Sequence, residues 1–191
     1  MRMADVTRET KETSIAVSLI LDGGECSIST GIGFFDHMLT AFAVHGGFGL
    51  ALKADGDLDV DGHHTVEDTG IVLGQAFAKS LGDKSGIARY GSFYLPMDEA
   101  LALCVVDISG RPYLVFDDPF GPELIGGFDP TLIEEFLRAF AVNAGLTLHI
   151  KLLYGKNAHH MAEAVFKALG HALKAACAVS GGGVLSTKGV L

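Results

Sequence analysis

Hydrophobic and polar positions follow two periods along the chain, an alternation typical of strands and a three-to-four spacing typical of helices. In the first half they predict strands at 14–21, 26–30 and 50–60 and helices at 34–45 and 64–81. In the second half they predict strands at 93–95, 101–108, 113–116 and 146–153 and helices at 130–143 and 159–179. Asp129 and Pro130 favour a helix start, since Asp caps backbone N–H groups and Pro fits the first turn. Runs of strands beside helices predict α+β layers.

The pattern of the first half returns in the second. When His63 is aligned with His159, Leu73-Gly74 falls on Leu169-Gly170, and 39–47 lies opposite 137–145 after a two-residue loop difference. Matching helices in the same order indicate an internal duplication, although two Ala-rich amphipathic helices could resemble one another by chance. We therefore predict an α+β fold of two similar halves, 1–84 and 85–191, in one compact unit. Each half should have an antiparallel or mixed sheet with two helices on one face.

Each half contains one His-His-x-x-Glu segment, at 63–67 and at 159–163. Positions i and i+4 share a helix face, so the first His and the Glu of a segment can bind one ion. The second His points about 100° around the axis, towards a different ion. One such pair would more often be solvent-exposed or structural. Two pairs with the same carboxylate spacing inside a repeat favour a dinuclear site for Mn, Fe, Co, Ni or Zn.

The geometry also predicts which ligands share an ion. The two expected sets are His63, Glu67 and His160 for one ion, and His159, Glu163 and His64 for the other. The repeat alignment adds His37 for one ion and its counterpart Glu135 for the other. His45 aligns with Asn143, a poor ligand, and is interpreted as structural. His149 and His171 have no histidine partner in the repeat and are interpreted in the same way.

Composition limits the classes of function. The chain has 191 residues, of which 49% are hydrophobic and 19% charged, which argues against disorder. A net charge of −9 gives no reason to expect nucleic acid or an anionic membrane as a partner. The apolar runs are too short for a transmembrane helix, and the N-terminus lacks a signal-peptide core. Three well-separated cysteines suit reduced thiols, so we expect a cytoplasmic protein.

A few basic residues stand in Gly- or Ser-containing contexts. Arg89 precedes Tyr90-Gly91, Arg111 follows Ser109-Gly110, and Lys188 follows Ser186-Thr187. Such residues could bind a phosphate in a chain with only 14 Lys and Arg, although most Arg and Lys side chains are simply solvated. The nucleotide-binding glycine motifs are absent.

Several blocks together closely resemble the imidazoleglycerol-phosphate dehydratase family of histidine biosynthesis. The blocks are residues 35–39 (Phe-Asp-His-Met-Leu), 63–68 (His-His-Thr-Val-Glu-Asp), 109–114 (Ser-Gly-Arg-Pro-Tyr-Leu) and 159–164 (His-His-Met-Ala-Glu-Ala). The resemblance extends over nearly the whole chain, from Thr10 to Leu191. It implies a duplicated α+β fold, an assembly of 24 subunits, and active sites between subunits that each hold two Mn²⁺ ions.

The resemblance also implies roles for individual residues. The metal ligands would be His37, His63, His64, Glu67, His159, His160 and Glu163. The family often has His where this chain has Glu135, so an eighth ligand stays open. Glu12 would face the substrate and Lys167 would line the site. The substrate phosphate would be held by Arg89, Arg111, Ser186 and Lys188.

The reaction implied is loss of water from imidazole glycerol phosphate to give imidazole acetol phosphate. Two ions would stabilise the ring as its anion, which expels the hydroxyl to give a diazafulvene, and proton loss then leads through an enol to the ketone. Glu12 is the first candidate for the proton shuttle, because Glu67 and Glu163 are engaged by metal. Two other classes stay open: a dinuclear metallohydrolase acting on a phosphorylated small molecule, and a non-catalytic metal-binding assembly.

Overall fold

The computed structural model describes residues 1–117, 119–121 and 123–189. This part of the chain forms two similar halves, each with four strands and two helices. The first half contains β1 (Met3–Glu9), β2 (Thr13–Ile20), β3 (Cys26–Ser29), α1 (Gly33–Gly46), β4 (Gly49–Gly56) and α2 (His63–Leu81). The second half contains β5 (Tyr90–Met97), β6 (Ala100–Asp107), β7 (Tyr113–Phe116), α3 (Leu132–Ala144), β8 (Thr147–Tyr154) and α4 (Ala158–Cys177).

The two sheets have the same topology. Their strand orders are β1-β2-β4-β3 and β5-β6-β8-β7. In each sheet the third strand of its half runs parallel to the fourth, and the other neighbours are antiparallel. The prediction of an α+β fold with two similar halves and mixed sheets is therefore confirmed.

Local differences from the predicted elements have identifiable causes. Strand β1 was not predicted, because Val6 is its one buried residue and an alternating apolar pattern is missing. Strand β4 ends at Gly56 and not at Val60, since the acidic stretch after it forms the turn into α2. Helix α3 begins at Leu132. The Asp129 carboxylate instead accepts the backbone N–H of Thr131 at 3.0 Å and so closes the turn before the helix.

The helices pack across the duplication: α1 contacts α4, and α2 contacts α3. A Cβ atom added to Gly170 of α4 would lie 2.5 Å from the carbonyl oxygen of Phe42 on α1. A Cβ atom added to Gly74 of α2 would lie 2.7 Å from the carbonyl oxygen of Phe140 on α3. Gly74 and Gly170 are aligned in the repeat, and so are Phe42 and Phe140. Equivalent residues therefore make equivalent contacts in the two crossings, which supports the duplication on geometric grounds.

The centre of the core lies where helices of both halves meet. Six fully buried phenylalanines occupy it: Phe35, Phe42, Phe77, Phe136, Phe140 and Phe166. Edge-to-face and stacked pairs between them add to the area they bury, as aromatic pairs at these separations do. This shared core fixes the starts of α1 and α4 relative to each other. None of the helices in the described part of the chain has the length and apolar character that crossing a membrane requires.

Candidate metal and substrate site

Three predicted ligands from the two halves meet at the start of α1 and α4. The ligand atoms of His37, His159 and Glu163 lie within 4.8 Å of one another. The Nε2 atom of His37 is 2.8 Å from the Oε1 atom of Glu163. It is the one group of three potential ligands found among the described residues. His37 was nominated through the repeat alignment, and the fold brings it to the His-His-x-x-Glu segment of the opposite half.

Local interactions set the direction of both helix starts. The Asp36 carboxylate accepts the backbone N–H of Thr30 at 2.8 Å and its hydroxyl at 2.6 Å, which ties the first turn of α1 to the end of β3. The Asn157 side chain caps α4 by accepting the backbone N–H groups of His159 and His160. The ring of Phe34 packs edge-on against the ring of His159, with centroids 5.2 Å apart. The two ligand-bearing turns are therefore held in place before any ion binds.

Glu163 is the buried member of the group, with 6% of its surface exposed. A buried carboxylate needs a positive partner or hydrogen-bond donors to offset the loss of water. His37 supplies one contact, and the Nζ atom of Lys167 lies 3.4 Å from the other carboxylate oxygen. Two imidazoles and a carboxylate around one point form a donor set that suits a divalent transition-metal ion.

The equivalent ligands of the other repeat lie farther apart. The Nε2 atom of His63 is 3.7 Å from the Oε2 atom of Glu67, so the predicted i, i+4 pair shares a helix face. Glu135 joins no group of three ligand atoms within the described residues. The two ligand sets predicted from the segments, each with a His from the opposite segment, are not assembled within the described part of one chain. The two predicted sets therefore stay predictions.

The second histidine of each segment binds a carboxylate. The Nδ1 atom of His64 is 3.0 Å from Asp57, and that hydrogen bond raises the pKa of His64. The Nδ1 atom of His160 is 2.8 Å from Glu99, and that hydrogen bond raises the pKa of His160. Glu99 in turn has its pKa lowered to about 2, first by His160 and then by a backbone N–H. Asp57 and Glu99 were missed from the sequence; Asp57 stands in a conspicuous acidic stretch, whereas Glu99 carries no signal.

Glu12 lies in the turn between β1 and β2. Its Oε2 atom is 3.8 Å from the Nδ1 atom of His64, too far for a hydrogen bond. The backbone N–H of Glu12 donates to the Thr10 hydroxyl at 3.0 Å, which shapes the turn. The carboxylate therefore lies beside a predicted ligand without a hydrogen bond to it.

The predicted phosphate-binding residues line one cavity of the second half. They are Arg89, Arg111, Ser186 and Lys188. Arg89 is almost buried, and its Nε and Nη2 atoms donate to both oxygens of Asp107, at 2.7 and 3.1 Å. This paired hydrogen bond raises the pKa of Arg89. Its backbone is held at a φ of 69°, a strained value that non-glycine residues adopt mainly at functional or tightly constrained positions.

This cavity lies far from the metal group within one chain. The backbone N–H of Arg89 donates to the carbonyl oxygen of Ala176 at 2.9 Å, so Arg89 lies beside the last turn of α4. Glu163 is in the first two turns of the same helix. At 1.5 Å of rise per residue the two positions are about 20 Å apart along the axis. A phosphate held at Arg89 and a ring held at Glu163 therefore belong to different sites unless two chains combine.

Two histidines interpreted as structural contact each other. The Nδ1 atom of His45 is 3.1 Å from the Nε2 atom of His171, whose ring stacks on Phe93 with centroids 4.1 Å apart. Burial lowers the pKa of both imidazoles. This pair joins α1 to α4 beyond Lys167.

The last two residues of the terminal block, Val190 and Leu191, lie outside the described residues.

Comparison with known proteins identifies the protein family. The family model described as imidazoleglycerol-phosphate dehydratase matches residues 30–173. A relative of that name from Carboxydothermus hydrogenoformans is 58% identical over the full length of both chains, and one from Methylorubrum populi is 57% identical, also over the full length of both.

Solved structures agree with the sequence relatives. The imidazoleglycerol-phosphate dehydratase of Staphylococcus aureus has a TM-score of 0.85 at 45% identity and covers 93% of this chain and 99% of its own. The enzyme from Pyrococcus furiosus, solved in complex with (S)-C348, has a TM-score of 0.85 at 44% identity and covers 97% of this chain and 100% of its own. The chain therefore belongs to the imidazoleglycerol-phosphate dehydratase family, whose members are hydro-lyases of histidine biosynthesis.

Proposed function

We propose that the chain converts imidazole glycerol phosphate to imidazole acetol phosphate and water with two Mn²⁺ ions at each active site. Membership of the family supports the dehydration. The observation that carries the metal part is the convergence of His37, His159 and Glu163 from the two halves. Their imidazole nitrogens and carboxylate oxygens suit Mn²⁺, which accepts more oxygen ligands than Zn²⁺ does.

We assign the ligands to two sets that the repeat relates to each other. One set is His37, His159, Glu163 and His64, and the other is Glu135, His63, Glu67 and His160. The first three members of the first set are already close together. The equivalence of Glu135 with His37 supports its place in the second set. The added histidine of each set would come from another chain, because the described part of one chain does not bring it to the other members of its set.

The distance between the two parts of the site supports an assembly with shared active sites. The phosphate-binding cavity and the metal group are about 20 Å apart in one chain, much farther than one small substrate reaches. A neighbouring chain would bring its cavity to the metal group. This requirement supports a homo-oligomer with active sites between subunits, and we propose the 24-subunit form that the family resemblance implies.

The side chains have distinct tasks in this proposal. When bound by these two ligand sets, the Mn²⁺ ions would supply positive charge that stabilises the imidazole ring as its anion and so favours departure of the hydroxyl. Arg89, Arg111, Ser186 and Lys188 would fix the phosphate, so that binding far from the ring orients it. Glu12 would deliver a proton to the departing hydroxyl and then take up the carbon-bound proton, which restores its protonated form; its carboxylate is not hydrogen-bonded to His64. Lys167 would stay beside Glu163 and offset its charge.

Metal removal tests the proposal directly. Protein stripped of divalent ions by a chelator should lose turnover, and added Mn²⁺ should restore it. Formation of the ketone product is the measurement. Full turnover in metal-free protein would overturn the metal assignment. Release of inorganic phosphate in place of the ketone would instead indicate a dinuclear metallohydrolase. Stoichiometric Mn²⁺ binding without any turnover would indicate a metal-binding assembly.

Two coarser features accompany this function. We propose that the duplication joins at residues 84 and 85, between the last turn of α2 and the start of β5. We also propose a cytoplasmic location, which a biosynthetic dehydratase and three free cysteines support.

A further inference from the structure

Glu99 connects three groups at the start of α4. It lies in the turn between β5 and β6, and its Oε1 atom accepts the backbone N–H groups of Lys156 at 3.1 Å and Asn157 at 2.7 Å. Its Oε2 atom lies 2.8 Å from the Nδ1 atom of His160. One carboxylate oxygen therefore holds the chain that leads into the helix, and the other holds the imidazole ring.

The second contact determines where the proton of the ring is. An ionised carboxylate can only accept hydrogen bonds, so the Nδ1 atom of His160 must donate. In the neutral ring the Nε2 atom then keeps its lone pair, and the Oδ2 atom of Asp98, at 3.6 Å, is too far away to form a hydrogen bond with it. A carboxylate behind a ligating imidazole fixes both the tautomer and the ring direction, and it makes the ligand more basic.

We propose that Glu99 is a positioning residue of the metal site, which holds His160 as the Nδ1–H tautomer and presents Nε2 to the ion. This inference rests on the assignment of His160 as a ligand in the proposed function. In this role Glu99 would act on the ion through the ring of His160.

Helix capping alone does not account for this contact. The side chain of Asn157 already accepts the first N–H groups of α4. In the other half, His64 has the same kind of Nδ1 partner, but it is Asp57, from the turn after β4. The β1–β2 turn, which corresponds to the turn of Glu99, leaves Glu12 3.8 Å away from His64. The two repeats therefore make the same kind of imidazole–carboxylate contact, but the carboxylates come from different positions in the repeat. This is expected if the function of the histidine requires such a contact.

The substitution Glu99→Gln separates the two tasks of the side chain. The amide oxygen of Gln can still accept the N–H groups of Lys156 and Asn157, whereas its NH₂ group would face Nδ1 of His160 and favour the opposite tautomer. One of the two Mn²⁺ sites should lose affinity by about tenfold or more, as loss of such outer partners typically does. The affinity is obtained by titrating the protein with Mn²⁺ and measuring the concentration of free Mn²⁺ by electron paramagnetic resonance.

A spectroscopic readout tests the tautomer itself. ¹⁵N-histidine solid-state NMR of metal-free protein in alkaline buffer, where the ring is neutral, should show His160 with the proton on Nδ1 in the unsubstituted protein and on Nε2 in Glu99→Gln. An Nε2–H ring in the unsubstituted protein overturns the proposal without any variant. Unfolding midpoints of both proteins should be close, since the backbone acceptor is kept.

The matched control is Asp83→Asn. It removes the same charge from another turn carboxylate, which accepts the N–H of Ser85 at 2.9 Å and has no imidazole partner among the described residues. Its Mn²⁺ affinity should equal that of the unsubstituted protein. Normal Mn²⁺ binding by Glu99→Gln would overturn the role of Glu99 alone. Failure of the unsubstituted protein to bind Mn²⁺ would overturn the proposed function as well.

Discussion

Gly170 on α4 and Phe42 on α1 are in backbone contact, so close that a methyl group on the glycine would lie 2.5 Å from the phenylalanine carbonyl oxygen. The neighbour is backbone and cannot rotate away. Gly170→Ala should therefore push α1 and α4 apart and lower the free energy of unfolding by about 1–3 kcal/mol. Denaturant unfolding measures the change. The equivalent Gly74→Ala should behave in the same way at the other crossing.

Gly33→Ala is the control for that prediction. Gly33 is the first residue of α1, and an added Cβ atom would meet nothing within 4 Å. Its free energy of unfolding should stay the same or rise slightly, because alanine loses less backbone entropy than glycine. Equal stability of Gly170→Ala and Gly33→Ala would show that the crossing tolerates the extra atom.

Arg89 and Arg111 should respond differently to truncation. Arg111 has 66% of its side chain exposed, so Arg111→Ala should raise KM with little change in stability. Arg89→Ala should raise KM and also lower the free energy of unfolding by about 3 kcal/mol, because it leaves the Asp107 carboxylate without its buried partner. Steady-state kinetics and denaturant unfolding separate the two effects.

A double variant distinguishes the two roles of Arg89. Replacing both Arg89 and Asp107 with alanine also removes the carboxylate that has lost its buried partner, and it should recover most of the stability lost in Arg89→Ala. The raised KM should persist, because the positive charge at the cavity is still missing. Recovery of KM together with stability would mean that Arg89 supports the fold and does not bind phosphate.

The pair of Arg2 and Asp22 predicts a pH-dependent contribution to stability. Its hydrogen bonds hold the pKa of Asp22 below the ordinary 3.8, and Arg2 also donates to the carbonyl oxygen of Cys177 at the end of α4. A carboxyl group with a lowered pKa in the folded state stabilises that state above its unfolded pKa. The contribution disappears as pH falls through the folded pKa.

The measurement is the difference in unfolding free energy between Asp22→Asn and the unsubstituted protein as a function of pH. The difference should be complete above pH 3.8 and vanish in stronger acid. Asp5→Asn is the control, since the Asp5 carboxylate has no ion pair with any described residue. A difference that persists unchanged in strong acid would contradict an electrostatic role for Asp22.

Glu135→His tests the difference in ligand type between the two proposed ion sites. The change replaces an oxygen donor with the nitrogen donor that His37 provides in the other set, and nitrogen suits Zn²⁺ better than Mn²⁺. The ratio of bound Zn²⁺ to bound Mn²⁺ should rise when both ions compete. Elemental analysis of dialysed protein measures this ratio. Glu134→His, one residue earlier and paired with Arg138 in the native chain, should leave the ratio unchanged.

The sequence predicts the regular elements well where one side of an element is buried. Helix α2 has a continuous apolar face and differs by one residue from its predicted start. Strand β1 offers no such face, so periodicity could not identify it. The packing of α1 against α4 could not be predicted either, because helix pairing between halves depends on tertiary packing and not on local pattern.

The candidate site was likewise predictable from the sequence only in part. The repeat alignment identified His37 as a ligand candidate, but its place beside Glu163 depends on that helix pairing. Glu99 could not be identified as the partner of His160, since 61 residues separate them and a turn carboxylate is common. The distance between Arg89 and the metal group likewise needed the fold.

The pairing of α1 with α4 has a consequence for how such a chain can change. In a half-length chain the first helix could meet a His-His-x-x-Glu segment in this way only across two associated copies, and every substitution would then appear twice. Joining the halves in one polypeptide removes that symmetry. His37 and Glu135 are free to differ because each is encoded once, so the two ion positions can be tuned independently.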